Sequence, residues 1–324
     1  MIRKSKSRLT RSSLTPSGKP PPVRSLSPDS RKGLFQNSDG LALVLTLMAL
    51  ALICAMVVEF SYEIYVQTAA LHNWQMSQRL SLLARSGVKL ASKTATERAA
   101  KYPYTYPGVL EISPPKVFDD YSADLSLRLE DENSKFNVKS LVFPNGVVNV
   151  EARNGLIRLL RALAVNPEMA DRIIDWMDPD REPRLSNSEN NSKNRPLDTA
   201  DEIQLIPGIR KEDYERVAPY VTVYGTDLVN INGAPIPVLM SLSDSIDKGM
   251  AERVLRYRES LPFERPADLL KVAGFQTVGQ ALMGRISVQG TAFRVVSTAR
   301  EGDVKRIIES IIDSNSIIQY WREF

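Results

Sequence analysis

The 324-residue chain carries 42 Lys and Arg against 38 Asp and Glu, a formal charge of +4. Nine of those cations stand in residues 1–40 against only Asp29 and Asp39, a balance of +7, so the remainder carries about −3 (4 − 7) and offers no overall basicity for nucleic acid. Cys54 is the single cysteine and His72 the single histidine, which excludes an intrachain disulfide and a cysteine-based metal site and leaves histidine chemistry to one residue on a predicted helix face.

Residues 1–39 hold nine Ser and five Pro with no apolar period, a composition that buries too little surface to order itself. Residues 41–58 then run without a charge, and eighteen residues at about 1.5 Å each approach the roughly 30 Å of a hydrocarbon core. The basic leader keeps the amino side cytoplasmic, so the bulk of the chain is expected outside. A cleaved secretory signal ends its apolar run in small residues, whereas this one ends in Met56-Val57-Val58-Glu59-Phe60. The small residue, Gly40, lies at the other end. Phe60, Ile64, Leu71, Trp74, Leu80, Leu83, Val88 and Ala91 recur at threes and fours, which extends the same helix in amphipathic form to about Thr96, with Ser86-Gly87 its expected weak point. Pro103, Pro107, Pro114 and Pro115 end it.

Ala123, Leu125, Leu127 and Leu129 alternate with polar residues in the period of a half-buried strand, and a second short strand is expected at 135–139. Helices follow over 151–164 and, after the Asn166-Pro167-Glu168 cap, through Ile173 and Met177; residues 178–195 read as polar loop. Thr199-Ala200-Asp201-Glu202 fits a capping box for a short helix that ends at Ile206-Pro207-Gly208-Ile209 and restarts at Lys211. A strand over 220–224, helices near 238–242, 248–259 and 267–272, and strands over 286–288, 293–300 and 304–312 complete the order. The expected class is α+β: a long N-terminal helix packed on a small antiparallel sheet, into which a large, mostly helical subdomain with helix-hairpin-helix-like elements is inserted. The boundaries are a basic leader at 1–40, a membrane segment at 41–58, its amphipathic extension at 59–100, the first part of the sheet region at 101–150, the insert at 151–280 and C-terminal strands at 281–324.

Asp175-Trp176-Met177-Asp178-Pro179-Asp180 is the densest acidic cluster. Its three carboxylates could converge on a hard cation or form a solvated acidic helix end, and no nucleophile or base nearby argues for an enzyme. Leu205-Ile206-Pro207-Gly208-Ile209 and Asn230-Ile231-Asn232-Gly233-Ala234 resemble helix-hairpin-helix elements. Arg210 stands where DNA-binding hairpins carry a second glycine, and Ser243-Asp244-Ser245-Ile246-Asp247 carries two acids that repel phosphate. A membrane-anchored DNA receptor of the competence type is the alternative built on these elements, and the charge balance opposes it.

Gly40 before Leu41-Ala42-Leu43-Val44-Leu45, after a basic polar leader, resembles the class III signal of type IV pilins and pseudopilins; a plain uncleaved signal anchor is the alternative. The order of that N-terminus, Asp131-Glu132-Asn133-Ser134-Lys135-Phe136-Asn137, the acidic cluster, Leu197-Asp198-Thr199-Ala200-Asp201-Glu202-Ile203, Pro207-Gly208-Ile209, Asn230 to Ala234 and Arg256-Tyr257-Arg258 resembles the K-type minor pseudopilins of type II secretion systems. The resemblance implies cleavage by prepilin peptidase between Gly40 and Leu41. It also implies assembly with I-, J- and H-type minor pseudopilins on an inner-membrane platform, a periplasmic C-terminal domain, and no enzymatic activity. Most pilins carry Glu at the fifth mature position, and Leu45 there marks a tip subunit with no neighbouring amine ahead of it. The family also implies calcium as the cofactor, held here by Asp175, Asp178, Asp180 and Glu189. Residues 181–195 are shorter than the family pattern, with Ser188-Glu189 the remnant of its ligand loop.

Overall fold

The computed structural model describes residues 38–114, 122–186, 188–189 and 192–324; the expectation of a disordered leader over 1–37 lies outside them. The first helix, α1 (Ser38–Lys101), contributes to two compact units, Met1–Ala69 and Ala70–Phe324. In the first unit every residue from Gly40 to Ala69 is exposed, and an apolar window of mean hydropathy 2.9 is 0% buried.

In the second unit α1 presents Leu80, Ala84, Val88, Ala91 and Ala95, all buried, along one stripe. The chain then forms β1 (Val109–Ile112), β2 (Asp124–Asp131), β3 (Phe136–Asn137), α2 (Val150–Ala162), α3 (Met169–Met177), α4 (Lys211–Val217), β4 (Val221–Thr222), β5 (Val229–Asn230), α5 (Ile236–Ser241), α6 (Lys248–Ser260), α7 (Val278–Ala281), β6 (Ile286–Ser287), β7 (Ala292–Glu301), β8 (Val304–Asp313) and β9 (Ile318–Glu323). The main sheet has the order β1-β2-β7-β8-β9 and is antiparallel throughout. Everything between β2 and β7 is therefore an insert, and two short parallel pairs, β3 with β4 and β5 with β6, lie within it.

Two cores follow from the strand period of two. Leu127, Leu129, Val295, Ala299, Ile308 and Ile312 join the α1 stripe, while Ala292 and Ile311 belong to the core of the insert. The sheet is thus covered by α1 and, at one end of its other face, by the helical insert.

Several local expectations change. Gly87 is no weak point: α1 runs through it, and an added Cβ there would strike Ser297 Oγ and come within 2.7 Å of Leu127 Cδ2, so the glycine lets the helix approach the sheet. The Thr199 capping box is present, with Glu202 Oε1 accepting the Thr199 N–H at 3.0 Å, but it opens a 3₁₀ turn (Ala200–Leu205). Strand β9 was not anticipated beyond residue 312; as an edge strand it is mostly exposed and lacks the alternation that reveals a half-buried one.

A buried polar seam joins the sheet to the insert. Glu132, wholly buried, accepts from Lys135 Nζ at 2.8 Å, from Arg294 Nε at 2.9 Å and from Thr222 Oγ1. Asp131 Oδ1 accepts the Asn133 N–H at 2.8 Å and its Oδ2 accepts from Asn230 Nδ2 at 2.5 Å. Asn232 imitates a strand partner, donating to Phe263 O at 2.8 Å and accepting from Phe263 N at 2.9 Å. Arg258 Nη1 donates to Ile231 O and Ala234 O, both at 2.8 Å, and Tyr257 stacks on Phe263 with centroids 4.9 Å apart. Gly233 lies backbone to backbone with Gly108: a Cβ on Gly233 would meet Gly108 Cα at 2.8 Å and overlap Ser134 Oγ. The Asn-Ile-Asn-Gly-Ala and Arg-Tyr-Arg segments thus fasten the fold.

Candidate functional site

Two places matter: the apolar part of α1 and the acidic end of α3. Leu41 and Leu45 are 63% and 57% exposed, and nothing lies within 4 Å of a Cβ built on Gly40.

At the end of α3 the amphipathic pattern that buries Ile173, Ile174 and Met177 also buries Asp175, and Asp178 follows as the C-cap, its N–H donating to Ile174 O. Both carboxylates are fully buried, which demands charged or hydrogen-bonding partners. Arg184 supplies them: its Nη1 donates to Asp175 Oδ1 at 2.5 Å and to Asp178 Oδ2 at 2.6 Å, and its N–H donates to Asp175 Oδ2 at 2.9 Å. Ser188 Oγ also donates to Asp175 Oδ2. Burial pushes the Asp178 carboxyl up to about 6 against the pull of Arg184; desolvation opposes the charge on Arg184, but its bonds to Asp175 and Asp178 raise its pKa.

Of the expected ligands, Asp175, Asp178 and Glu189 converge, with one carboxylate oxygen of each within 4.8 Å of the others. Asp180 does not join them; it is exposed and accepts the Glu182 N–H at 2.9 Å. Among the described residues, Asp178 Oδ1 and Glu189 Oε1 are the buried carboxylate oxygens left without a partner. Calcium takes six to eight oxygens, and with Asp175 and one oxygen of Asp178 already paired with Arg184 the side chains of the described residues do not by themselves fit a calcium site. The sequence reading missed Arg184. The signal was there: an aspartate flanked by core residues on a helix requires a cation, and residues 181–195 contain Arg181, Arg184, Lys193 and Arg195.

The hairpin elements carry their own partners. Arg172 Nη1 donates to Pro207 O at 3.3 Å beside Gly208, whose φ is +85°, and Arg210 pairs with Asp213 at 2.8 Å. In the second hairpin Asp244 pairs with Arg158 at 3.0 Å and Asp247 caps α6 by accepting from Met250 N at 2.7 Å.

Profiles described as "Type II secretion system (T2SS), protein K" match residues 134–226 and 229–289, which together cover the insert from its first turn to β6. Over that insert the chain is similar to the type II secretion system protein K family. It is 28% identical over 211 residues to the type II secretion system protein K of Pseudomonas aeruginosa, an alignment covering 60% of this chain and 62% of that relative's length. With the protein K of Dickeya chrysanthemi it shares 27% over 140 residues, 38% of this chain and 39% of that one. The crystal structure of the GspK-GspI-GspJ complex from enterotoxigenic Escherichia coli contains a chain with the same fold: TM-score 0.61 at 17% identity, covering 80% of this chain and 99% of that one. The shared fold takes in the sheet and α1 around the insert, whereas the profiles match only the insert.

Proposed function

We propose that the chain is a minor pseudopilin of a type II secretion system: a non-enzymatic subunit that enters the tip of the pseudopilus with I-, J- and H-type partners and supports export of folded proteins across the outer membrane. It is anchored in the inner membrane by the apolar part of α1, with its amino side cytoplasmic and its second unit periplasmic, and it is cut by prepilin peptidase between Gly40 and Leu41 before the assembly platform uses it. The observation that carries this reading is the wholly exposed, uncharged stretch at 41–58 in a chain whose insert matches protein K, a surface that only lipid or other apolar helices can cover. The solved GspK-GspI-GspJ complex, which contains a chain of this fold, supports the I- and J-type partners. Leu45 suits a subunit with no amine ahead of it, because an unpaired carboxylate at that depth is costly.

The test is the N-terminal sequence and intact mass of the protein recovered from membranes of cells with and without active prepilin peptidase. A mature form beginning at Leu41, lost when the peptidase is inactive, is expected. An intact N-terminus in both strains overturns the pseudopilin reading and leaves a signal-anchored domain.

A further inference from the structure

We infer that Arg184 is a built-in cation occupying the place a calcium ion would take at the end of α3, so that the helical insert of this chain is held without calcium. One nitrogen, Nη1, donates both to an oxygen of Asp175 and to an oxygen of Asp178. It bridges the two buried carboxylates as an ion would. The backbone N–H of Arg184 and the Ser188 hydroxyl complete Asp175, so both its oxygens already accept from protein donors. Among the described residues, the side-chain oxygens of the cluster left without a partner are Asp178 Oδ1 and Glu189 Oε1, two against the six to eight oxygens that calcium takes.

The exchange has a physical advantage. A guanidinium is permanently charged and tethered to the loop it organises, so its occupancy does not depend on ion concentration. The loop after Asp180 then need only bring Arg184 and the Ser188 hydroxyl to the carboxylates.

The test is thermal unfolding of the full chain in detergent micelles, with EDTA and then with millimolar calcium, for the wild type, Arg184→Ala and Arg184→Lys, together with terbium luminescence excited through the adjacent Trp176. The wild type and Arg184→Lys are expected to unfold at the same temperature in EDTA and in calcium, within about 1 °C, and to give no sensitised terbium emission. Arg184→Ala, with two buried carboxylates uncovered, is expected to lose stability in EDTA, to regain about 5 °C or more with calcium, and to sensitise terbium. A wild-type midpoint that rises with calcium, or wild-type terbium emission, overturns the inference. So does an Arg184→Ala protein that folds and ignores calcium, because the arginine then replaces no ion. Should Arg184→Ala fail to fold under both conditions, indifference of the wild type and Arg184→Lys to calcium upholds the inference, and a response from either overturns it.

Discussion

Removing the Glu132 carboxylate by substitution with alanine should loosen the insert from the sheet. Glu132 is fully buried and accepts from Lys135 at 2.8 Å, from Arg294 at 2.9 Å and from Thr222. Breaking a buried ion pair by deleting one partner costs about 3–5 kcal/mol, because the surviving charge is left in a poor medium. Here the cations are not abandoned: Lys135 keeps Glu130 at 3.4 Å and Arg294 keeps Glu309, so the loss should sit near the lower end, about 3 kcal/mol. At about 2–4 °C per kcal/mol for a domain of this size, the unfolding midpoint of the second unit should fall by about 6–12 °C in detergent. The effect has a pH signature. Burial pushes the Glu132 carboxyl up, but Lys135 and Arg294 together hold it below its ordinary 4.5. Its contribution is therefore present above about pH 4.5 and is lost as pH falls through the lower folded value, so the gap between wild type and variant must narrow in acid. A loss below about 1 kcal/mol, a gap that persists in acid, or additivity with Arg294→Met in a double-mutant cycle would refute the seam as drawn.

Two further predictions concern the same junction. Gly233→Ala forces a methyl against the backbone of Gly108 and onto Ser134 Oγ, and should cost about 1–3 kcal/mol in denaturant unfolding; a neutral result would mean that the two segments separate freely. Asp131 behaves oppositely to Glu132: burial pushes its carboxyl up to about 7 from 3.8, so the folded state holds the proton through that window and stability falls as pH rises from about 4 to 7. Asp131→Asn should flatten that decline by up to about 1.4 kcal/mol per pH unit, read from melts across the window, and parallel wild-type and variant curves would count against it.

The elements that sequence alone made legible are those whose burial repeats along the chain. The α1 stripe, β2 with its leucines, β7, β8, α2, α3 and α6 all carry a period that a one-sided environment imposes. So did the insertion itself, because strand patterns stood on both sides of a run of helices. Strand β9 escaped notice because an edge strand with exposed side chains needs no alternation, and β1, which does alternate, is only four residues long between Pro107 and Pro114. At the candidate site, proximity of Asp175 to Asp178 was readable from helix geometry, whereas Arg184 reaches them through a loop whose path no local pattern encodes. Gly87 was misjudged because propensity treats a helical glycine as a defect, and only a partner surface turns it into a fit.

The insertion between β2 and β7 also orders events during synthesis. Glu132 and its partner Arg294 are 162 residues apart, so the central pairing of the sheet waits until the whole insert has left the ribosome. Until then β2 has β1 on one side and an unpaired edge on the other. Along that strand Asp124, Arg128 and Glu130 place charge at alternate positions, which discourages a second chain from adding to the waiting edge. The insert, with a core largely its own, can condense first and hand β7 to β2 with the register already constrained by the seam. The polar junction is therefore also a timing device: long-range pairing is deferred, and the strand that must wait is protected by its own charges.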